Sequence, residues 1–124
     1  MQMKKLFIVT AVSLLLVACG VNKPDNLLDY KSGSNDDYTY ITIEDKVYVP
    51  FTSVDNGDRG EWIGIVDKDE NYRIYEFKGY SSDEWIISFY NSGEMDGSML
   101  MKEQNVTEYP DGVTSEYEWN NSEL

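Results

Sequence analysis

Histidine is absent from this chain of 124 residues, and cysteine occurs once, at Cys19. Without histidine there is no imidazole for a Ser-His or Cys-His nucleophile and no histidine ligand for a metal. A single thiol cannot form a disulfide within the chain, so the fold depends on packing and hydrogen bonds alone. These absences predict a protein that is not an enzyme, with no catalytic residues, no metal site and no cofactor.

Basic residues are scarce as well. The chain has 10 Lys and Arg against 23 Asp and Glu, which gives a formal charge of −13. Nucleic-acid binding needs clustered Lys and Arg to neutralise phosphates, and docking on anionic lipid needs a basic patch. The composition therefore argues against both. It favours a cationic partner, although the acidity also suits a surface protein whose charge only keeps it soluble.

The long apolar run is confined to the N-terminus. Lys4 and Lys5 precede twelve apolar or small residues at 6–17. This run suits the hydrophobic region of a signal peptide and is shorter than the roughly 20 residues that a transmembrane helix needs. Residues 16–19, Leu-Val-Ala-Cys, resemble the lipobox of bacterial lipoproteins. The resemblance implies that residues 1–18 are a cleaved lipoprotein signal peptide and that a diacylglyceryl group is attached to the Cys19 sulfur.

Two other interpretations of this N-terminus stay open: a secretory signal in which Cys19 is incidental, and an uncleaved anchor helix. Under the lipoprotein interpretation, removal of residues 1–18 leaves 8 basic and 23 acidic residues, a charge of −15. The two acyl chains attach the protein stably, at about 0.8 kcal/mol per buried methylene. The predicted location is the cell membrane, lipid-anchored and facing outside, or the periplasm in a Gram-negative host.

Composition divides the remainder into three parts. Residues 19–37 are predicted to be the lipidated N-terminus and a flexible tether, because they are rich in Gly, Ser, Asn and Asp. Leu27, Leu28 and Tyr30 are the exception, and the alternative for them is a short turn packed back on the β domain. Residues 38–110 are predicted to be a β domain. Residues 111–124 hold four acids and no bases and are predicted to be a disordered acidic tail, with docking of Trp119 as the alternative.

The β domain is predicted from short segments rich in Tyr, Ile, Val, Trp and Phe, residue types that fit a pleated, half-buried surface. Turn residues such as Asp-Asn-Gly separate them. The predicted strands are Tyr38–Ile43, Lys46–Phe51, Glu61–Val66, Tyr72–Phe77, Trp85–Tyr90, Ser98–Lys102 and, less regularly, Asn105–Tyr109. Six or seven short strands predict a small antiparallel all-β barrel or sandwich.

The first hairpin can be aligned if Glu44-Asp45 is a two-residue loop, which places Ile41 opposite Tyr48. One face then carries an aromatic and aliphatic set that we expect to form the core: Tyr38, Tyr40, Val47, Val49 and Phe51.

Residues 67–71, Asp-Lys-Asp-Glu-Asn, begin like a calcium-binding loop. The pattern fails where that loop requires Gly and a bidentate Glu, because Tyr72 and Lys78 stand there. An acidic hairpin turn is the better interpretation.

The aromatic residues divide between core and surface. Trp62 and Trp85 are expected in the core. The chain has ten tyrosines, so some of them should be accessible beside acids, as in surfaces that bind cationic or amphipathic peptides.

Several of these segments resemble a small domain found in lipoproteins of Firmicutes. The resemblance covers Tyr40–Phe51, the Trp62-Ile63-Gly64 strand, and Tyr72–Tyr80 followed by Glu84-Trp85-Ile86. It implies a β fold and no particular activity. Size, anchor and acidity are also similar to those of lantibiotic-immunity lipoproteins, which implies protection against a cationic peptide but assigns no residues.

Two hypotheses follow. The first is a membrane-anchored, non-catalytic lipoprotein that binds a cationic or amphipathic ligand, for immunity or sequestration against an antimicrobial peptide. The alternative is an accessory or structural lipoprotein that contacts another envelope protein. The sequence identifies no ligand-binding residues for either hypothesis.

Overall fold

The structure is a computed structural model that describes residues 23–93 and 97–117. The predicted signal peptide, the predicted lipid-attachment residue Cys19, and Trp119 lie outside the described residues. Within the described ranges, no helix has the length and hydropathy needed to cross a lipid bilayer.

Within residues 23–93 and 97–117, the fold consists of seven β-strands and one 3₁₀ turn at Asn56–Asp58. The strands are β1 (Leu28–Ser34), β2 (Thr39–Ile43), β3 (Lys46–Val54), β4 (Arg59–Val66), β5 (Asp69–Phe77), β6 (Trp85–Tyr90) and β7 (Ser98–Glu103). Six of them were predicted within a few residues of their observed bounds, and the predicted all-β class is confirmed. The segment Asn105–Tyr109 is not a strand.

The strands close into a barrel in the order β1-β2-β3-β7-β6-β5-β4. Six neighbouring pairs are antiparallel, whereas β1 and β4 run parallel and complete the ring. Of the two architectures predicted from the sequence, the barrel is therefore correct, and its sheet is mixed rather than wholly antiparallel.

β1 corrects the prediction that residues 19–37 form a flexible tether: Tyr30 packs on the body, as the alternative had it, but within a strand rather than a short turn. Its residues 31–34, Lys-Ser-Gly-Ser, do not alternate between polar and apolar, and Tyr30 is the one buried side chain in the strand. Backbone pairing with β2 and β4 holds the strand in place instead. The folded domain therefore begins at Leu28 and not at Tyr38.

A turn carboxylate also fastens β1. Asp67, between β4 and β5, accepts hydrogen bonds from the backbone N–H of Ser32 at 3.1 Å and from its Oγ at 2.5 Å. These bonds favour the charged carboxylate and hold the pKa of Asp67 below its ordinary value. The acidic turn predicted at residues 67–71 is thus confirmed, and its first carboxylate has a structural role.

The barrel interior is filled by one side chain from each strand, none more than 2% exposed. From β1 to β7 this interior cluster is Tyr30, Ile41, Tyr48, Val66, Ile74, Ile86 and Met101. Burial of apolar surface stabilises the fold by roughly 25 cal/mol per Å². Because side chains alternate along a strand, the neighbouring residues point outward.

The first hairpin has the predicted register, with Ile41 opposite Tyr48. The predicted core face was wrong, because these two residues point into the interior cluster while Tyr38 and Tyr40 are only half-buried. Phe51 is nevertheless 0% exposed. The pattern was ambiguous because both faces of β3 carry apolar residues, and both are covered.

A second set of buried residues lies on the outer face of four strands that are neighbours in the barrel, in the order β3-β7-β6-β5. This outer cluster contains Phe51, Phe77, Trp85, Ile87 and Leu100. Phe51 and Trp85 pack edge to face, with ring centroids 5.0 Å apart. An outer face this apolar requires a cover.

The cover is the C-terminal strap, residues 105–117. Its Val106 and Val113 pack against the outer cluster. The backbone N–H of Glu116 donates to the carbonyl of Phe51 at 2.9 Å, and the Glu116 carboxylate accepts from the backbone N–H of Ser53 at 3.1 Å. Residues 111–117, predicted to belong to a disordered tail, are therefore docked on the barrel, whereas 118–124 lie outside the described residues.

Candidate acidic groove

A groove of about 550 Å³ runs between the β5–β6 loop and the C-terminal strap. Four carboxylates line it: Asp83 and Glu84 from the loop, Glu103 from the end of β7 and Glu108 from the strap. No lysine or arginine belongs to its described lining. We call this site the acidic groove.

The four carboxylates differ in their partners. Asp83 forms an ion pair with Lys46 at 3.2 Å, in which the Asp83 side chain is well exposed and that of Lys46 is half-buried. Glu103 accepts two hydrogen bonds from Asn105, at 3.0 Å from the backbone N–H and at 3.3 Å from the side-chain amide. Within the described residues neither Glu84 nor Glu108 forms an ion pair. These two carboxylates can accept a cation from outside the chain.

Two half-exposed tyrosines border the groove. Tyr80, 41% exposed, stacks on Phe77 with centroids 4.8 Å apart and planes at 11°. Tyr109, 39% exposed, packs edge to face against Phe51 at 4.9 Å and Trp85 at 6.3 Å. Because their partners belong to the outer cluster, both rings are held in place while each stays about two-fifths exposed. The Tyr109 ring also has the Lys102 ammonium group 5.9 Å from its centroid. Such rings offer apolar area and attraction for a cation.

One positive charge lies behind the groove wall. Lys102 is 6% exposed, and its ammonium group donates to the carbonyl of Val106 at 2.8 Å and to those of Gln104 and Glu103 at 3.4 and 3.5 Å. Three carbonyls replace much of the water that a buried ammonium loses. The Lys102 side chain thereby fixes the segment from Glu103 to Val106. Its positive charge partly offsets the negative charge of the groove carboxylates.

The field of the groove reaches the barrel interior. Burial, with a smaller contribution from Asp83, raises the pKa of Tyr30 to about 12. Burial also raises the pKa of Tyr48, with contributions from Tyr30, Asp83 and Glu103. The Tyr48 hydroxyl donates to the Ser82 carbonyl at 2.6 Å, which ties the β5–β6 loop to the interior cluster.

The other turns considered from the sequence hold no comparable site. Asp55 and Asp58 border a smaller depression of about 290 Å³ beneath the strap. There the Asp58 carboxylate accepts the backbone N–H of Asp55 at 3.1 Å, as part of the 3₁₀ turn. Across the described ranges, no group of three or more carboxylates or thiols is arranged to hold a metal ion.

The two tryptophans expected in the core have different environments. Trp85 is 1% exposed and lies in the outer cluster, as expected. Trp62 is only half-buried, and its indole N–H donates to the Gly64 carbonyl at 2.9 Å. The sequence suggested tyrosines beside acids but named no residues. It missed the groove because its walls come from two segments that are distant along the chain.

Comparisons of the chain with family models, with curated proteins and with solved structures find no match in any of the three. The resemblance to Firmicutes lipoproteins stays a prediction. The acidic groove is therefore the feature of this chain that bears most directly on its function.

Proposed function

We propose that this chain is a lipid-anchored, non-catalytic surface lipoprotein that binds a cationic, amphipathic peptide in the acidic groove. The observation that carries the proposal is the pairing of Glu84 and Glu108, without ion-pair partners in the described chain, with the accessible rings of Tyr80 and Tyr109. Carboxylates suit the basic side chains of such a peptide, and the rings suit its apolar ones. A formal charge of −13 favours encounter with the same class of ligand.

The short segment before β1 supports the membrane part of the proposal. If Cys19 carries the lipid, the eight residues 20–27 separate it from β1, and such a segment spans at most roughly 28 Å. Lys23 in this segment forms an ion pair with Glu70 of β5, and Leu28 at the start of β1 pairs with Gly64 of β4. The barrel would therefore stay at the membrane surface, where amphipathic peptides accumulate.

Peptide binding is tested on residues 20–124, which contain every strand and the strap. The probe is a synthetic amphipathic peptide of leucine and lysine, and the control peptide carries glutamate in place of lysine. Calorimetric titration is expected to show binding of the lysine peptide only, weakening as salt is raised because exposed charges are screened. Absence of binding at both low and high salt would contradict the proposal.

Two variants locate the site. Glu84→Gln combined with Glu108→Gln is expected to weaken binding about twofold to thirtyfold, since each of the two exposed ion pairs contributes roughly 0.2–1 kcal/mol. The matched control is Asp36→Asn combined with Asp37→Asn, which removes the same charge from exposed positions in the β1–β2 turn. Equal loss in the two variants would mean that net charge, and not the groove, attracts the peptide.

Lipidation has its own test. Mass spectrometry of the protein from its native host is expected to find a chain that starts at Cys19 and carries a diacylglyceryl group. An unmodified Cys19 thiol, or residues 1–18 still attached, would refute the anchor while leaving peptide binding to be judged separately.

A further inference from the structure

Both arginines of the chain lie on the outer face of β4, β5 and β6, stacked on aromatic rings. The guanidinium carbon of Arg59 lies 4.6 Å from the ring centroid of Tyr75 and 4.3 Å from that of Phe89. That of Arg73 lies 4.2 Å from the ring of Trp62. The three rings follow one another at centroid spacings of 6.4 Å. We call this surface the arginine ladder.

The ladder is positively charged on a strongly acidic protein. Arg59 and Arg73 each donate one Nε–H to a local carbonyl, of Asn56 at 3.3 Å and Glu70 at 3.0 Å. Neither forms an ion pair with any described carboxylate. Stacking fixes the plane of a guanidinium and leaves its terminal N–H groups at the edge, where they can bind a carboxylate bidentately. Arginine and aromatic residues are also the types enriched at the energetic centres of protein interfaces.

The ladder and the acidic groove border the same outer cluster. Tyr75 of the ladder packs against the outer cluster, and Trp85 of the same cluster lines the groove. Two neighbouring surfaces of opposite charge on one side of a molecule are self-complementary under a two-fold rotation. The groove of one copy then meets the ladder of the other, and the reverse contact forms at the same time.

We propose that a second copy of this chain docks on this side, placing Arg59 and Arg73 of each copy against Glu84 and Glu108 of the other. This proposal rests on the groove of the proposed function, because the arginine ladder of a second copy would compete with the peptide for Glu84 and Glu108. Net charge opposes association, but repulsion beyond about 8 Å is screened at physiological salt, whereas contacting pairs are screened much less. The contact should therefore be weak in dilute solution and stronger where anchoring confines the copies to one surface.

Charge exchange tests the pairing on residues 20–124 by sedimentation velocity at physiological salt. The first variant carries Arg59→Glu and Arg73→Glu, and the second carries Glu84→Lys and Glu108→Lys. Wild type is expected to dimerise with rising concentration. Each variant alone is expected to lose at least about tenfold in association constant, because breaking a charge pair at an interface costs over 1.4 kcal/mol. An equimolar mixture of the two variants restores both contacts and is expected to form heterodimers.

Two controls separate the contact from net charge and from misfolding. Lys31→Glu with Lys68→Glu changes the net charge as the first variant does, at exposed positions outside the ladder, and is expected to dimerise about as wild type does. Arg59→Met with Arg73→Met keeps an apolar cover over the rings and should fold as wild type but stay monomeric.

Three outcomes would overturn the dimer: a wild type that stays monomeric, a first variant that still dimerises, or variants that do not associate when mixed. Its failure is distinguishable from failure of peptide binding. A monomeric wild type that binds the lysine peptide leaves the proposed function intact, whereas a dimer that exchanges charges as described but ignores the peptide refutes the proposed function alone. If both hold, the peptide is expected to dissociate the dimer.

Discussion

The ring of Tyr30 packs against Gly64 where the parallel strands β1 and β4 close the barrel. A Cβ at Gly64 would lie 2.4 Å from Cε1 of that ring and 2.9 Å from the carbonyl of Leu28. Both distances are far below van der Waals contact, so glycine is required there for space. The closing pair therefore depends on a missing side chain.

Gly64→Ala is expected to destabilise the protein by about 1–3 kcal/mol, the usual cost of forcing an extra methyl group into a packed core. The free energy of unfolding is measured by urea titration. Gly57→Ala is the control, because nothing lies within 4 Å of its Cβ. Equal stability of the Gly64→Ala variant and wild type would show that β1 and β4 can separate without loss.

Alkaline pH should unfold the barrel through its buried tyrosines. Burial raises the pKa of Tyr30 from 10.0 to about 12, so the unfolded chain loses this proton at a lower pH than the folded chain. The stability contributed by neutral Tyr30 is complete below pH 10 and is lost as pH rises towards 12, to the extent of about 2–3 kcal/mol.

Denaturant titrations between pH 8 and 12, with tyrosinate absorbance followed in parallel, measure this loss. Tyr30→Phe removes the titrating group, so its unfolding free energy should fall less steeply above pH 10. Identical pH profiles of the variant and wild type would assign the alkaline transition to other groups.

The turn between β4 and β5 can be improved. Asp67 and Lys68 both have positive φ, 54° and 63°, the backbone pattern of a type I′ hairpin turn. A side chain costs about 1 kcal/mol in this region. Lys68→Gly should therefore raise the free energy of unfolding by about that amount while Asp67 keeps its bonds to Ser32.

The β2–β3 turn supplies the control. Only its first residue, Glu44, has positive φ, at 53°. Glycine at Asp45 relieves no strain and adds freedom to the unfolded chain, so Asp45→Gly should not stabilise. If both glycine variants stabilise equally, backbone strain is not the cause.

Removal of the docked part of the C-terminus should destabilise the barrel. A chain that ends at Pro110 lacks Val113, Ser115 and Glu116, and with them the hydrogen bonds to Phe51 and Ser53 and the packing on the outer cluster. The expected loss is about 2–4 kcal/mol, from roughly 0.5–1.5 kcal/mol per hydrogen bond and some apolar burial.

Thermal and urea unfolding measure that loss, with a chain ending at Tyr117 as the control, since it retains every one of these contacts. If the two truncated chains are equally stable, residues 111–117 of the strap contribute nothing to the stability of the fold.

The strand segments were predictable because their residue types and alternation reflect burial directly. Trp85–Tyr90 was predicted with its observed bounds. β1 was not predicted, because its pairing uses backbone groups that any sequence provides, and Tyr30 alone is buried. The prediction of which face of the first hairpin points into the barrel was wrong. Because the outer face of β3 is also covered, residues on its two faces are equally apolar and the sequence does not distinguish them.

The site was less predictable than the fold. Acidity and abundant tyrosine predicted a cationic ligand, which stays a prediction, but Glu84 and Glu108 line one groove only because the strap returns across the outer cluster. Nothing local to Lys102 signals that its ammonium group is buried among carbonyls. Such features arise from tertiary packing, which a single sequence does not encode in any local pattern.

Closure of the ring by β1 and β4 also determines how this chain can meet other proteins. In the described part of the chain, every strand has a hydrogen-bonded neighbour on both sides, so no edge is free to recruit a strand from another molecule. Contacts with other proteins must then be made by side chains. Strand-by-strand aggregation into a fibril would first require an open edge, which forms when the three-residue pairing of Leu28–Tyr30 with Gly64–Val66 separates. The frequency of that separation should therefore limit the rate at which fibrils grow.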